Sequence, residues 1–523
     1  MKSDSTVHGH NSWVRKLRVQ MPSPSLKDNT ADIDRLVRYL KKELRAENIS
    51  IPYSLIKDIP QLLRDFAYHC WVSAYEDYGT WRVIHLSPPE DKGHFYGLAL
   101  DLGSSTLVMR AIELNTGHIA KEISFHNPQI KIGTDILSRI HYASKPEGLA
   151  DLQQMLITHL NERISGVASE LALAPHEILA LTVAGNTTMT HFFLGLDPYW
   201  ICREPYIPVV NRPEIISAQE LGININPRAP VFALPNVGSY FGGDLIAGIL
   251  ASGMNHMDEI CLLVDVGTNA EVVLGNKDWL MGCAGAAGPA LEGGVASMGM
   301  MAGPGVIDKV TIDPQTLEIQ YHTIEDLPPV GICGSGLIDL VAQLFLAGMI
   351  DLRGKFVASR CGERLIQIEG INHFVVVHAN ESATGKPLTL SQPDIDSLIR
   401  SKAAMYTILT TITKTVDIDI HDIGKFFIAG TFGSYIDPRS AITLGMIPDL
   451  PLETYVPLGN TSLQGATLAL LSQEARQECF EIRDKITYLE LNVNQEFMNL
   501  FSAAKFIPHT DKTLFPSVRP YPR

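Results

Sequence analysis

Hydrophobic and polar positions alternate along this chain with two different periods. From Ala31 to Asn48 the apolar residues Ile33, Leu36, Val37, Leu40 and Leu44 fall on one helical stripe, with lysines and arginines on the opposite face. The spacing predicts an amphipathic helix whose basic side is solvated. Ser54 to Cys70 predicts a second helix interrupted near Pro60, and Thr80 to Leu86 a short strand, before Pro88 and Pro89 punctuate the chain. Beyond Phe95 strand and helix patterns alternate, as in layered α/β folds. The expected organisation is a flexible lead over 1–29, interrupted by Pro22 and Pro24, and a small α+β domain over 30–92. A first α/β half over 93–205, a proline-rich connecting segment over 206–259 and a second half over 260–523 follow.

Two of these strands end alike, LALDLGSST at Leu98 to Thr106 and LLVDVGTNA at Leu262 to Ala270. In each an apolar run delivers an aspartate, then glycine and short polar residues follow. Gly103 and Gly267 allow turns in which backbone N–H groups approach an anion closely, and Ser104, Ser105, Thr106, Thr268 and Asn269 add donors. Asp101 and Asp265 would repel phosphate directly, so they suit a hydrated Mg²⁺ lying between. Asp265 alternatively orients an attacking water. Glu271 follows Asn269 by an even count along a strand and shares its face, reaching the same site or serving as an ordinary surface carboxylate. One strand ending in DxG reads as a plain hairpin; a second copy about 164 residues later argues for a shared task.

Two further segments repeat the strand–glycine theme, and a third is a helix of small residues. KFFIAGTFGSYID carries Gly430, Thr431, Phe432 and Gly433, a turn slim enough to pass close to a base or ribose. LALTVAGNTTMTHFFLG places Asn186 and Thr187 where a helix begins, and TSLQGATLALLS is a helix of small residues suited to close packing. Taken singly, the last two read as packing.

Composition narrows the class. A chain of 523 residues accommodates about three domains. No run reaches the roughly 18–20 apolar residues of a membrane span, and the first thirty residues lack an apolar signal region, so a cytoplasmic location is expected. A net charge of −15 argues against nucleic-acid or anionic-membrane partners. The seven cysteines are scattered, with no CxxC or ferredoxin-type spacing, and read as reduced, mostly buried thiols. Cys333, in CGSG, has no histidine near it in sequence to activate it. His191 and His509 show no zinc-ligand spacing, and Asp244 reads as a helix cap.

The order of these segments resembles the superfamily of acetate and sugar kinases, heat-shock chaperones and actin. LALDLGSST is similar to its first phosphate motif, the segment around Gly185 to its first connecting motif and LLVDVGTNA to its second phosphate motif. FIAGTFGS is similar to its adenosine motif and the helix around Gly465 to its second connecting motif. The resemblance implies two ribonuclease-H-like α/β halves with a nucleotide cleft, preceded here by the small α+β domain. It also implies an ATPase with ATP and Mg²⁺ as cofactors. Its site would comprise Asp101, Asp265 and Glu271 as catalytic or Mg²⁺-holding groups. Gly103, Ser104, Ser105, Thr106, Gly267, Thr268, Asn269 and Asn186 would lie on phosphate, and Gly430, Thr431, Phe432 and Gly433 on adenosine.

Longer runs resemble the reductive activators of corrinoid proteins: AGNTTMTHFFLGLDP, LPNVGSYFGGDLIAGIL, GPALEGG, GICGSGLIDLVAQL and the tail FIPHTDKTLFPSV. VRKLRVQMPSPSLKDNTADIDRL is similar to the linker entering the middle domain of those proteins, to which the small α+β domain would correspond. The family implication is re-reduction of a stalled cobalt(II) methyl carrier to cobalt(I) in anaerobic, cobalamin-dependent methyltransferase systems. Such relatives begin with an iron–sulfur module, and this chain starts where that module would have ended. No iron–sulfur cluster is expected in this chain, and either the electron would come from a separate low-potential donor protein or the chain is a fragment or truncated relative whose activity differs. The expected partners are that donor and a corrinoid protein, with a homodimer open. A basic residue expected near Met301 is absent. A small-molecule kinase using an acid such as Asp135, a dehydratase activator using Cys283 and Cys333, and a nucleotide-gated scaffold for a corrinoid protein stay as alternatives.

Overall fold

The computed structural model describes residues 12–91, 94–267, 270–285, 296–430, 435–489 and 495–521. The chain forms two compact units, one of residues up to Ala251 with Ser462–Asp484, the other of Ser252–Thr461 with the residues from Lys485 onward. The stretch 260–523, expected as one half, is therefore divided: its segment 462–484 returns to the first unit.

The first unit opens with the small α+β domain. Its four-stranded sheet runs in the order Val14–Gln20, His69–Asp77, Thr80–Ser87, Asn48–Ser50. Val14–Gln20 lies inside the expected flexible lead, and the structure corrects that reading: it is a strand paired antiparallel with His69–Asp77. Basic residues hide its alternation, yet Val14 and Val19 are buried while Arg15 lies over the ring of Trp81 and Lys16 bonds Asp91 at 2.8 Å. The helix Asp32–Leu44 buries Leu36, Leu40 and Leu44 in a core shared with Leu63, Val72 and Val83. Acids in its first turn and lysines in its last suit the helix dipole. Its basic face is not wholly solvated, because Arg35 turns inward and pairs with Asp28 at 2.5 Å.

The rest of the first unit is built on a six-stranded sheet ordered His118–His126, Thr106–Glu113, Tyr96–Leu102, Ile178–Gly185, Pro230–Ala233, Ile216–Ser217. Two hairpins join the first three strands, and Ile178–Gly185 and Pro230–Ala233 add parallel. The long helix Gly148–Glu170 buries Leu152, Leu156, Leu160 and Ile164 in the core beside this sheet.

The second unit repeats the plan. Its six strands are ordered Tyr455–Gly459, Lys425–Ala429, Cys261–Val266, Ala270–Gly275, Leu280–Gly285, Ile486–Tyr488. Cys261–Val266, Ala270–Gly275 and Leu280–Gly285 again form antiparallel hairpins, and Lys425–Ala429 and Tyr455–Gly459 again add parallel. Each acidic phrase thus ends the corresponding central strand of its sheet. The helix Gln392–Thr415 starts on a capping box between Ser391 and Asp394. Its fully buried Lys402 donates to the carbonyls of Phe506 at 2.5 Å and Pro508 at 2.7 Å, fastening the tail. No helix among the described residues is long and apolar enough to cross a membrane.

Candidate functional site

In the first unit, Leu98, Leu100 and Leu102 of Tyr96–Leu102 are fully buried, and the alternation leaves Asp101 half-buried on the other face near the strand's end. Asp101 stands in register with Val108 on one side and Ala184 on the other. A Cβ on Gly103 would lie 2.3 Å from the carbonyl oxygen of Thr106, so this tight turn requires glycine. Ser104 and Thr106 are partly exposed and Ser105 is exposed. Two residues absent from the sequence reading hold the turn. Asn127 donates from Nδ2 to the Gly103 carbonyl at 3.0 Å and from its backbone to the Ser105 carbonyl at 2.9 Å. Ser462 donates from Oγ to Asp101 Oδ1 at 2.7 Å.

The neighbouring strand Ile178–Gly185 ends against this turn, since a Cβ on Gly185 would lie 2.9 Å from Leu102. Asn186 then caps the helix Thr187–Leu194, its side chain accepting from the Met189 N–H at 2.9 Å. Within that helix His191 is buried with Nδ1 at 2.7 Å from the Thr187 carbonyl, while Nε2 accepts from the Val209 N–H at 3.0 Å. Burial lowers its pKa, consistent with a neutral structural histidine. Asp244 lies in the first turn of Gly243–Ser252, where the dipole favours it. Asp135 caps Ile136–Ala143 and accepts from the Ser138 N–H and Oγ, bonds that hold its carboxyl below the usual range.

In the second unit Asp265 is half-buried near the end of Cys261–Val266, directly opposite Glu271 and in register with Ala429. Opposite residues of an antiparallel pair point to one face, so the two carboxylates lie side by side there. Gly430 follows Ala429 with φ +83°, and a Cβ there would sit 3.0 Å from Asp265 Oδ1. Gly430, the first residue of the segment expected to meet adenosine, therefore lies against the second aspartate. Gly267 is described and half-buried. Thr268, Asn269, Thr431, Phe432 and Gly433, with all of GPALEGG, lie outside the described residues.

The donor set suits a magnesium nucleotide: carboxylates at strand ends, hydroxyls beside them, and a glycine turn whose cradle a Cβ would fill. Among the described residues no cluster of three or more His, Cys, Asp or Glu could hold a metal directly. All seven cysteines are unpaired. Burial pushes the Cys283 thiol up to about 12, and Cys333 is buried with Sγ 3.4 Å from the Ile307 carbonyl. Both sit as structural thiols rather than reactive ones.

Three family models match consecutive stretches of the chain: the RACo linker region over residues 8–93, the RACo middle region over 96–257, and the C-terminal domain of RACo, the ASKHA domain, over 259–519. The small α+β domain thus carries the linker designation, and the middle designation falls on the first ribonuclease-H-like half with its connecting segment. The chain is 31% identical over 432 residues to the corrinoid activation enzyme RamQ of Eubacterium limosum, covering 80% of this chain and 72% of that protein. It is 24% identical over 444 residues to a [Co(II) methylated amine-specific corrinoid protein] reductase of Methanosarcina barkeri, covering 78% of this chain and 76% of that protein. A solved structure of a reductive activator for corrinoid, iron–sulfur protein superposes with a TM-score of 0.90 at 40% identity, over 99% of this chain and 82% of that one.

Proposed function

The chain belongs to the family of reductive activators of corrinoid proteins, and on that premise we propose that it uses ATP to return a stalled cobalt(II) corrinoid protein to cobalt(I). One electron passes from a separate low-potential donor protein to the cobalt, and ATP and water become ADP and phosphate. The supporting observation is likeness to a corrinoid activator over 99% of this chain and 82% of that one, together with an acidic glycine turn at the central strand of each ribonuclease-H-like sheet.

The residues divide the work as follows. Gly103, Ser104, Ser105, Thr106, Gly267, Thr268 and Asn269 supply N–H and hydroxyl donors to the phosphates, with Asn186 beside the first turn. Gly430, Thr431, Phe432 and Gly433 line the adenosine. Asp101 and Asp265 would accept from the water shell of Mg²⁺, which would neutralise phosphate charge when bound. Asp265 and Glu271, sharing one face, orient the attacking water.

ATP drives an uphill electron transfer only if the nucleotide-bound form prefers the altered cobalt environment. Raising a one-electron potential by about 240 mV corresponds to about four decades in equilibrium, about 5.5 kcal/mol. A difference in docking affinity between nucleotide states can supply that amount.

Phosphate release measured with and without a cobalt(II) corrinoid protein tests the reading. Partner-stimulated release supports it. A phosphorylated small molecule would instead mark a kinase, and nucleotide binding without turnover a scaffold.

A further inference from the structure

The helix Thr461–Leu471 is gripped along its length. Near its start Ser462, 7% exposed, donates to Asp101 at 2.7 Å, a partner 361 positions away in sequence. At mid-length Gly465 lies so close to Ala247 that a Cβ would come within 2.3 Å of its carbonyl oxygen, and Ala466 O accepts from Thr182 Oγ1 at 2.8 Å. Towards its end the carbonyls of Ala469 and Leu470 accept from Trp13 Nε1 at 2.9 and 3.0 Å.

Trp13 belongs to the small α+β domain and is fully buried. Tyr75 and Phe232 meet its ring edge-on, and the Arg476 guanidinium lies 4.7 Å from its centroid. Arg476 in turn pairs with buried Glu76 at 2.6 Å, and the Glu76 N–H donates to the Trp13 carbonyl at 2.7 Å. The small domain therefore holds one end of an 11-residue helix whose other end holds the first acidic turn. Such a helix is a rod of about 16 Å, stiff enough to carry a displacement from end to end.

We propose that Ser462 is a positioning residue for Asp101, and that Trp13 sets its place, so that the small domain and the first acidic turn respond to each other. This rests on the ATP reading above and adds to it a route by which bound nucleotide is felt at the small domain. The hydroxyl fixes one oxygen of the carboxylate that would hold the water shell of Mg²⁺. Trp13 fixes the helix that delivers the hydroxyl.

The test is calorimetric titration of the full chain with a non-hydrolysable ATP analogue, with and without Mg²⁺, together with amide hydrogen exchange. Ser462→Ala is expected to weaken Mg²⁺–analogue binding about tenfold, the scale of one hydrogen bond to a charged group. The metal-free affinity should move far less, a split that a merely structural role would not produce. Ser462→Thr should restore it. Trp13→Phe keeps the ring and removes the donor; it should weaken binding in the same Mg²⁺-dependent way and add nothing to Ser462→Ala in the double variant. In wild type the analogue should slow exchange in Val14–Gln20, and in Ser462→Ala it should not. A wild type that binds the analogue while the two variants act additively, or while exchange in Val14–Gln20 stays unchanged, overturns this inference alone. A wild type that binds no nucleotide overturns the ATP reading and this inference with it.

Discussion

Asp265 and Glu271 face each other across adjacent antiparallel strands, so the second unit places two carboxylates side by side at the end of its central strand. Like charges set opposite each other in a sheet are unfavourable unless something between them gains from both. A hydrated divalent cation and a polarised water both do. Asp265→Asn is expected to abolish partner-stimulated hydrolysis, and Glu271→Gln to lower it about 10²-fold, the usual contribution of a group that orients or deprotonates water. Phosphate release against Mg²⁺ concentration checks this, with the half-saturating Mg²⁺ rising about tenfold in any residual Asp265→Asn activity.

The turns depend on glycine for distinct reasons. A methyl group on Gly103 would collide with the Thr106 carbonyl at 2.3 Å, so Gly103→Ala must reshape the first turn and should weaken nucleotide binding at least about tenfold. Gly430 has φ +83°, where alanine costs about 1–2 kcal/mol. Gly430→Ala should lose nucleotide affinity while the rest of the second unit stays folded, as read by titration beside circular dichroism.

Much of this was legible from the chain itself. The acidic phrases could be read because apolar run, aspartate and glycine are local features, and the sheets place both at corresponding central strands. Val14–Gln20 was hidden because its polar positions are arginines and lysines that look solvated, whereas Lys16 is buried against Asp91 and Arg15 covers Trp81. Ser462 and Asn127 were hidden for another reason. Their bonds to Asp101 and Gly103 join positions 361 and 24 apart, and no local pattern encodes such pairings.

Helix packing in the first unit gives a stability prediction. Gly465→Ala would drive a Cβ to within 2.5 Å of Ala247 atoms, including its backbone. Overpacking of this kind costs about 1–3 kcal/mol. The thermal midpoint of the first unit should fall, and nucleotide affinity with it, because Ser462 rides on the same helix.

A pH dependence follows from Asp339 in the helix Gly334–Leu346. Burial pushes its carboxyl up to about 6 from 3.8, with Asp437 adding to the rise and Ser440 and Lys309 opposing it, while Oδ1 lacks a hydrogen-bond partner among the described residues. The unfolded chain loses this proton near pH 4 and the folded one near pH 6, so ionisation disfavours folding as pH rises through that window. The loss reaches about 1–3 kcal/mol after allowance for solvent screening. Asp339→Asn should flatten the fall, gaining on wild type between pH 4 and 6.5 in denaturant unfolding and showing little difference below pH 4.

The central claim is tested most directly by the cobalt spectrum. The full chain, ATP, Mg²⁺, a low-potential reductant and a cobalt(II) corrinoid protein of a methyltransferase system are mixed anaerobically and the cobalt(I) absorption is followed. The account predicts cobalt(I) formation that requires ATP and disappears with Asp265→Asn. Cobalt(I) appearing equally without ATP, or failing to appear with any cognate corrinoid protein, would contradict it.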